Sequence, residues 1–571
     1  MNRPPRVRRR ARHVRRWPLG SVIAWGAAVL VPLAFLLVFF VWPVVALVST
    51  GFLGGVGGRA GGIDLSGLTE VLGSARTWRA LGQTLAQAAA GTALSVVLGV
   101  PAAFVLYRLR FRGRAALRGL LTVPFVLPTV VVAVAFRAVF GPGGPLAFLD
   151  IDGSFVIIVL ALAFFNVTVV MRTVGGFWAQ LDARPEQAAS CLGASPARVW
   201  WTVTLPALTP AIASAAALVF LFCATSFGIV LVLGGREFQT IETEIYRLTV
   251  QYLDLRGAAV LSILQLVIVA AAIAVSARLR SGRERAAAMR PAAARIRRTH
   301  LPVLAVFAVT ILVLHMLPIG SLVLRSLRTV DGAWTLEHYH NLVVPPPDSP
   351  LSGSVLDSAW LSIRLALVAA LIAVVLGVLV ALVASRRPRS RALRRGIHAF
   401  DGAVMLPIGV SAVTVGFGLL LTMHRPLGIG IDLRSSIVLI PVAQALIALP
   451  LVVRTIAPVL RAIDPRLRDA AATLGADGWR VLRTIDLPVA GRALGLAVGF
   501  AFAASLGEFG ATAFLVRPDA QTLPVVIAQL ISRQGVENYE AAIAASVLLG
   551  ALTAGVMLVA ERLRGDWAGE I

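Results

Sequence analysis

Uninterrupted apolar stretches, each long enough to cross a bilayer as a helix, recur along the whole chain. A hydrocarbon core about 30 Å thick takes about 20 helical residues. Hydropathy places such stretches near 20–48, 80–107, 119–141, 154–172, 209–234, 257–278, 301–325, 357–385, 400–423, 435–455, 491–516 and 540–560. These twelve occupy about half of the 571 residues. Charged residues are 14% and apolar ones 58%, against about 25% charged in soluble domains. A soluble fold has no interior large enough to hide that surface, since over half of any folded surface is already apolar. Disorder needs low hydrophobicity and is excluded by the same numbers. The expected class is an all-α polytopic membrane protein with about 12 transmembrane helices.

Charge placement orients the spans. All 53 basic residues are arginine, and the formal net charge is +25. Of these, 39 lie in the segments 1–17, 108–118, 172–208, 278–298, 386–395, 454–492 and 561–571. Short basic loops stay in the cytoplasm, so both termini are expected there, in a multi-pass protein of the cytoplasmic membrane. The charge is therefore a topology signal toward the lipid bilayer, and no nucleic-acid partner is expected. The first apolar run is too long for the core of a cleaved signal.

The same composition excludes chemistry. A Walker A loop needs its lysine to reach nucleotide phosphates, and the chain has none. No HExxH, no Ser-His-Asp ordering and no paired acids within a span occur. No catalytic residue, cofactor or metal site is expected, and the chain is read as a non-enzyme. Cys191 and Cys223 have no zinc spacing and are read as packing residues, one in a loop and one in mid-membrane. His338 and His340 fall in a polar loop, Trp334 to Leu342, without a third ligand.

The chain contains its own copy. Residues 181–206 (LDARPEQAASCLGASPARVWWTVTLP) and 463–488 (IDPRLRDAAATLGADGWRVLRTIDLP) match in a register of 282, with 12 of 26 positions identical. The register continues through Ser226-Phe227-Gly228 against Glu508-Phe509-Gly510 and through Gln239-Thr240 against Gln521-Thr522. Upstream, VVLGV at 96–100 recurs at 374–378, with the register drifted to 278. Six spans separate the copies, so the two six-helix repeats run parallel about an axis along the membrane normal. The expected organisation is a basic tail (1–17), a first six-span half (18–280, with the repeated loop at 173–208), a cytoplasmic linker (281–300) and a second half (301–571, with the repeated loop at 456–490). Two such halves build one pathway between them. An ion-coupled secondary transporter with twelve spans is the alternative, but those carry several intramembrane ionisable relays. Here Glu508 and, near span ends, Arg137 and Arg364 are the few found.

The duplicated loop is built for contact. Ala188-Ala189 and Ala470-Ala471 start a short helix with little side-chain bulk, so another backbone can come close. Gly193 and Gly475 then permit a turn that a Cβ resists. Trp200 and Trp201, or Trp479 and Leu482, follow in a second amphipathic stretch that ends at Leu-Pro. The reading is a helix–turn–helix at the membrane surface that docks a partner.

This pattern, EAA, three residues, Gly, then about eleven residues to Leu-Pro, resembles the loop of permease subunits in binding-protein-dependent ABC importers. The acidic position is Gln187 in the first copy and Asp469 in the second, and neither is Glu. The resemblance implies a type I ABC importer permease fold. Gln187, Ala188, Ala189, Gly193, Asp469, Ala470, Ala471 and Gly475 would then dock two ABC ATPase subunits, with an extracytoplasmic solute-binding protein on the other side. Ser505 to Pro524 (SLGEFGATAFLVRPDAQTLP), Thr225 to Gly235 (TSFGIVLVLGG), Ile241 to Tyr246 (IETEIY) and Asn538-Tyr539 are similar to the fused permeases for thiamine and for ferric iron. Either substrate is a cation. Glu508, deep in its span, and its register partner Ser226 would face the pathway beside Phe227 and Phe509.

Overall fold

The computed structural model describes residues 19–53, 66–121, 123–235, 237–280, 294–329, 331–344, 353–386, 388 and 390–563. The basic tail and most of the linker lie outside them. Nine helices are long and apolar enough to cross a membrane, and two bent pairs raise this to eleven among the described residues. Those used below are α1 (Trp25–Phe52), α2 (Ala75–Arg108), α3 (Thr129–Phe140), α4 (Phe155–Trp178), α5 (Arg184–Cys191), α6 (Pro196–Ala224), α7 (Ile241–Val250), α8 (Leu255–Arg280) and α9 (Arg298–Ser326). There follow α10 (Val355–Ala384), α11 (Arg391–Met405), α12 (Ala412–Thr422), α13 (Leu439–Ala462), α14 (Pro465–Thr473), α15 (Leu487–Leu506), α16 (Leu523–Ser532) and α17 (Val536–Leu563).

The expected third, ninth and eleventh spans differ from simple helices. In the third, Pro124 and Pro128 interrupt the run, which becomes Arg114–Leu120, Val123–Val126 and α3. The last has 12 residues, about 18 Å at 1.5 Å per residue. In the ninth, the chain turns by 97° between Arg391–Gly409 and α12. Pro407 lies in the 3-10 turn Leu406–Gly409 that ends the first segment, where a ring without an N–H cannot continue the α-helix. In the eleventh, α15 ends at Leu506, and an irregular stretch precedes Thr512–Leu515. Non-helical backbone at this depth is tolerated only where protein buries it, and Glu508, Phe509 and Ala511 are all buried.

Each repeat has a three-helix core. Helix α2 packs on α4 and α6, and in the second repeat α10 packs on α13 and α15. The crossings correspond in detail. A Cβ on Gly99 would lie 2.6 Å from Val170 Cβ, and one on Gly377 3.1 Å from Val452 Cβ. These glycines let helices approach through small contact residues, the packing mode of membrane interiors.

The two repeats exchange their first helices. Helix α1 packs on α10 and α12 of the second repeat, and α9 on α2, α3 and α4 of the first. In the second crossing His315 is buried, its ring stacked on Phe164 at 5.1 Å and its Nε2 3.2 Å from the Phe164 carbonyl oxygen. This exchange ties each repeat to the other.

Two expectations for polar residues are corrected. The stretch around His338 is a short helix, Glu337–Val343, with His338 buried, its Nε2 3.1 Å from the Arg328 carbonyl and its Nδ1 3.4 Å from Glu540. Cys223 is buried, but Cys191, at the end of α5, is exposed and packs no core. Among the described residues, no group of three or more His, Cys, Asp or Glu could hold a metal.

Candidate functional site

The two copies of the loop fold alike. Helix α5 and helix α14 each begin with Pro in the first turn, at Pro185 and Pro465. Each ends on a left-handed glycine, Gly193 at φ +83° and Gly475 at φ +81°. The Gly193 N–H donates to the Ser190 carbonyl and the Ala194 N–H to Ala189; Gly475 and Ala476 repeat this with Ala472 and Ala471, all at 3.0–3.1 Å. This αL turn satisfies carbonyls that the helix end leaves orphaned. The second segment starts at register partners Ser195 and Asp477, whose side chains accept from the backbone N–H of Arg198 and Arg480. A wide i→i+5 turn follows in both, Trp200–Thr204 and Leu482–Asp486, and leads into Leu-Pro.

The expected docking residues lie together on the outer surface of this motif. Gln187, Ala188, Gly193, Asp469, Ala470 and Gly475 are exposed, and Ala189 and Ala471 half-buried. Sequence reasoning missed their most conspicuous neighbours. Leu192 and Leu474 stand just before the glycines and are 88% and 86% exposed, more than any other large apolar side chain among the described residues. Their equal register was the available signal. Trp201 and Trp479 are also exposed, whereas Trp200 turns inward, 5.7 Å from the ring of Trp178.

Each loop is anchored to its bundle by a carboxylate, from different positions. In the first repeat Glu186 of α5 accepts from Arg108 Nη2 at 2.6 Å and from Thr204 Oγ1 at 2.9 Å. In the second, Arg468 occupies the register position of Glu186, and Asp486 that of Thr204. Asp486 is fully buried and accepts from Arg386 Nη2 at 2.7 Å and Arg468 Nε at 2.8 Å. Arg386 is the counterpart of Arg108 in the drifted register of 278. Burial pulls its guanidinium below the usual arginine range, and Asp486 opposes that pull.

The other expected site lies on the axis between the repeats. Ser226, Phe227, Glu508 and Phe509 are all buried. Phe227 and Phe509 stack across the axis at 5.3 Å with planes 14° apart. Tyr246 of α7 lies 5.3 Å from Phe227 and 5.5 Å from Phe514, so the rings form one continuous cluster. Both oxygens of Glu508 are engaged: Oε1 accepts from the Ala511 N–H at 2.7 Å, and Oε2 from the Thr512 N–H at 3.0 Å and from the Thr512 hydroxyl. Its carboxylate caps the short helix Thr512–Leu515.

Comparison with known proteins follows this geometry. Residues 95–281 match the family described as binding-protein-dependent transport system inner membrane component. The molybdenum transport system permease protein ModB of Mycobacterium bovis is 38% identical over 195 residues, 33% of this chain and 73% of that protein. The thiamine transport system permease protein ThiP of Escherichia coli is 28% identical over 490 residues, 83% of this chain and 86% of that one. A solved chain from a bacterial ABC transporter involved in the import of the acidic polysaccharide alginate is similar at 16% identity and a TM-score of 0.38, over 46% of this chain and 94% of that chain.

Proposed function

We propose an orientation, partners and a substrate for a chain that belongs to the family of binding-protein-dependent transport system inner membrane components. It is a multi-pass permease subunit of an ABC importer, in which both permease repeats are fused. The organisation proposed is a tail at 1–17, halves at 18–280 and 301–571, and a linker at 281–300, with both termini and both docking loops in the cytoplasm. Arginine placement supports that orientation.

Two ATPase subunits dock, one on each loop, and hydrolyse the ATP; a solute-binding protein delivers the substrate from the other side. The observation that carries this is the duplication of an exposed Leu-Gly turn. Leu192 and Leu474 present bare apolar side chains at equal places in the repeat, and an apolar anchor seated in a pocket is the usual energetic centre of a protein interface. Gln187, Ala188, Ala189 and Gly193, and Asp469, Ala470, Ala471 and Gly475, form the surface around each anchor.

The pathway runs along the axis past Ser226, Phe227, Glu508 and Phe509, where the stacked rings close it. Thiamine is the proposed substrate, supported by the similarity to thiamine permeases across both repeats. The test is uptake of labelled thiamine and of ferric iron into vesicles holding the permease with its ATPase and binding protein. Thiamine uptake dependent on ATP is expected; uptake of iron alone overturns the reading.

A further inference from the structure

Glu242, in the first turn of α7, is a buried acid that keeps an oxygen without a hydrogen-bond partner among the described residues. Its side chain is fully buried. Oε2 accepts from the Ser411 hydroxyl at 2.8 Å, a bond that joins the two repeats. Oε1 has no hydrogen-bond partner among the described residues. The Gln265 amide, which interacts with the carboxylate, gives its Nε2 to the Ala224 carbonyl at 3.2 Å, and its Oε1 is also without a partner. Two buried acceptor oxygens without donors are costly; a proton on the carboxyl meets that need when the site is empty, and a cation that displaces the proton meets it when the site is filled.

Aromatic faces adjoin it. Tyr246 is one helical turn from Glu242, on the same face of α7, and leads to Phe227, Phe509 and Phe514. A second carboxylate is near: Ser411 starts α12, and Ala412 next to it packs on Gly510, two residues from Glu508. The register partner of Glu242 in the second repeat is Pro524, so the site has one acid, not a symmetric pair. A carboxylate oxygen beside a wall of π faces is the chemistry that holds an organic cation.

We propose that Glu242, with Tyr246, Phe227 and Phe509, forms a cation-binding site in the membrane that takes an organic cation as the ring stack opens. This rests on the pathway assigned above and does not require thiamine to be the cargo. Glu242→Gln is the sharp variant, because its amide oxygen still accepts from Ser411 while the charge is gone. The permease with its two ATPase subunits, without the binding protein, is titrated in nanodiscs with thiamine, with benzyltrimethylammonium as a second cation, and with uncharged thiochrome. At least a tenfold loss of affinity for both cations is expected in Glu242→Gln, with thiochrome unmoved and the melting temperature kept. Ser411→Ala, which removes the bond between repeats but not the charge, should bind both cations within about threefold of wild type. Equal cation affinity in wild type and Glu242→Gln overturns the site, as does an equal loss in Ser411→Ala. Cation binding lost in the Gln variant, with no thiamine uptake by the wild type, overturns thiamine as cargo and leaves the site standing.

Discussion

Arg108 donates to Glu186 at 2.6 Å in the first repeat, while its counterpart Arg386 donates to Asp486 at 2.7 Å in the second. The acid has moved eighteen positions along the repeat, from the start of the short helix to the turn before Leu-Pro, and the contact between bundle and loop is kept. What has been retained is a rigid link, not a residue. A loop that docks an ATPase as proposed above needs such a link, because a loosely tethered one would absorb the movement.

Asp486 should matter more than Glu186. It is fully buried between two guanidinium groups, whereas the Glu186 side chain is 23% exposed. Removing one partner of a buried ion pair costs about 3–5 kcal/mol, and solvent screening reduces that for Glu186. Asp486→Thr is expected to lower the melting temperature and uptake strongly, and Glu186→Gln mildly. Adding Arg468→Glu to Asp486→Thr copies the arrangement of the first repeat and should restore most of the loss. Thermal melts in detergent and uptake assays read both effects; no rescue by the double variant would mean that the two anchors are not equivalent.

The turns give a second expectation. Gly475 has no neighbouring atom within 4 Å of a built Cβ, so a larger side chain meets no obstacle inside this chain. The cost of Gly475→Val is conformational, since β-branched residues avoid positive φ, about 1–2 kcal/mol. The turn should therefore distort, with insertion unaffected and uptake lost. Leu474→Arg and Ala471→Arg leave the turn intact and place charge on the surface proposed for docking, and both should abolish stimulated ATP hydrolysis by the partner. Gly193→Val and Leu192→Arg are expected to do the same through the other loop. Co-purification of the ATPase at wild-type yield with Leu474→Arg would remove that leucine from the interface.

Much of this was legible because it is written locally. Glycine before a polar start, Leu-Pro at the end, and arginines at one end of the spans are short-range signals, and their repetition fixed the register. Three features were not local. The breaks after Gly409 and around Pro128 lie in runs whose hydropathy is continuous, so averaging over a window hides them. The exchange of first helices is tertiary, and no periodicity in α1 or α9 records which bundle they join. Glu242 sits in IETEIY, a polar stretch that hydropathy assigns to a connection, although it forms a buried helix between spans.

Topology can be checked without any substrate. Reporter fusions at Asp182 and Asp464 should both read cytoplasmic, since the two positions stand at one place in a parallel repeat. A fusion that reads external at either position breaks the symmetry on which two docking loops depend.

Glu508 offers the last test, because its engaged oxygens allow two roles to be separated. As a cap, it receives the Ala511 and Thr512 N–H groups. As a pathway group, it contributes negative charge beside Phe509. Glu508→Gln keeps one acceptor but turns an amide donor toward a backbone donor, and a buried unsatisfied donor costs about 1–3 kcal/mol. A modest fall in melting temperature is therefore expected on either role. Thr512→Ala removes the hydroxyl donor and leaves the charge in place. If the charge serves transport, Glu508→Gln lowers uptake of thiamine well beyond Thr512→Ala at matched stability, and Ser226→Ala does far less than either. Equal uptake in Glu508→Gln and Thr512→Ala would confine Glu508 to holding the short helix that carries Phe514.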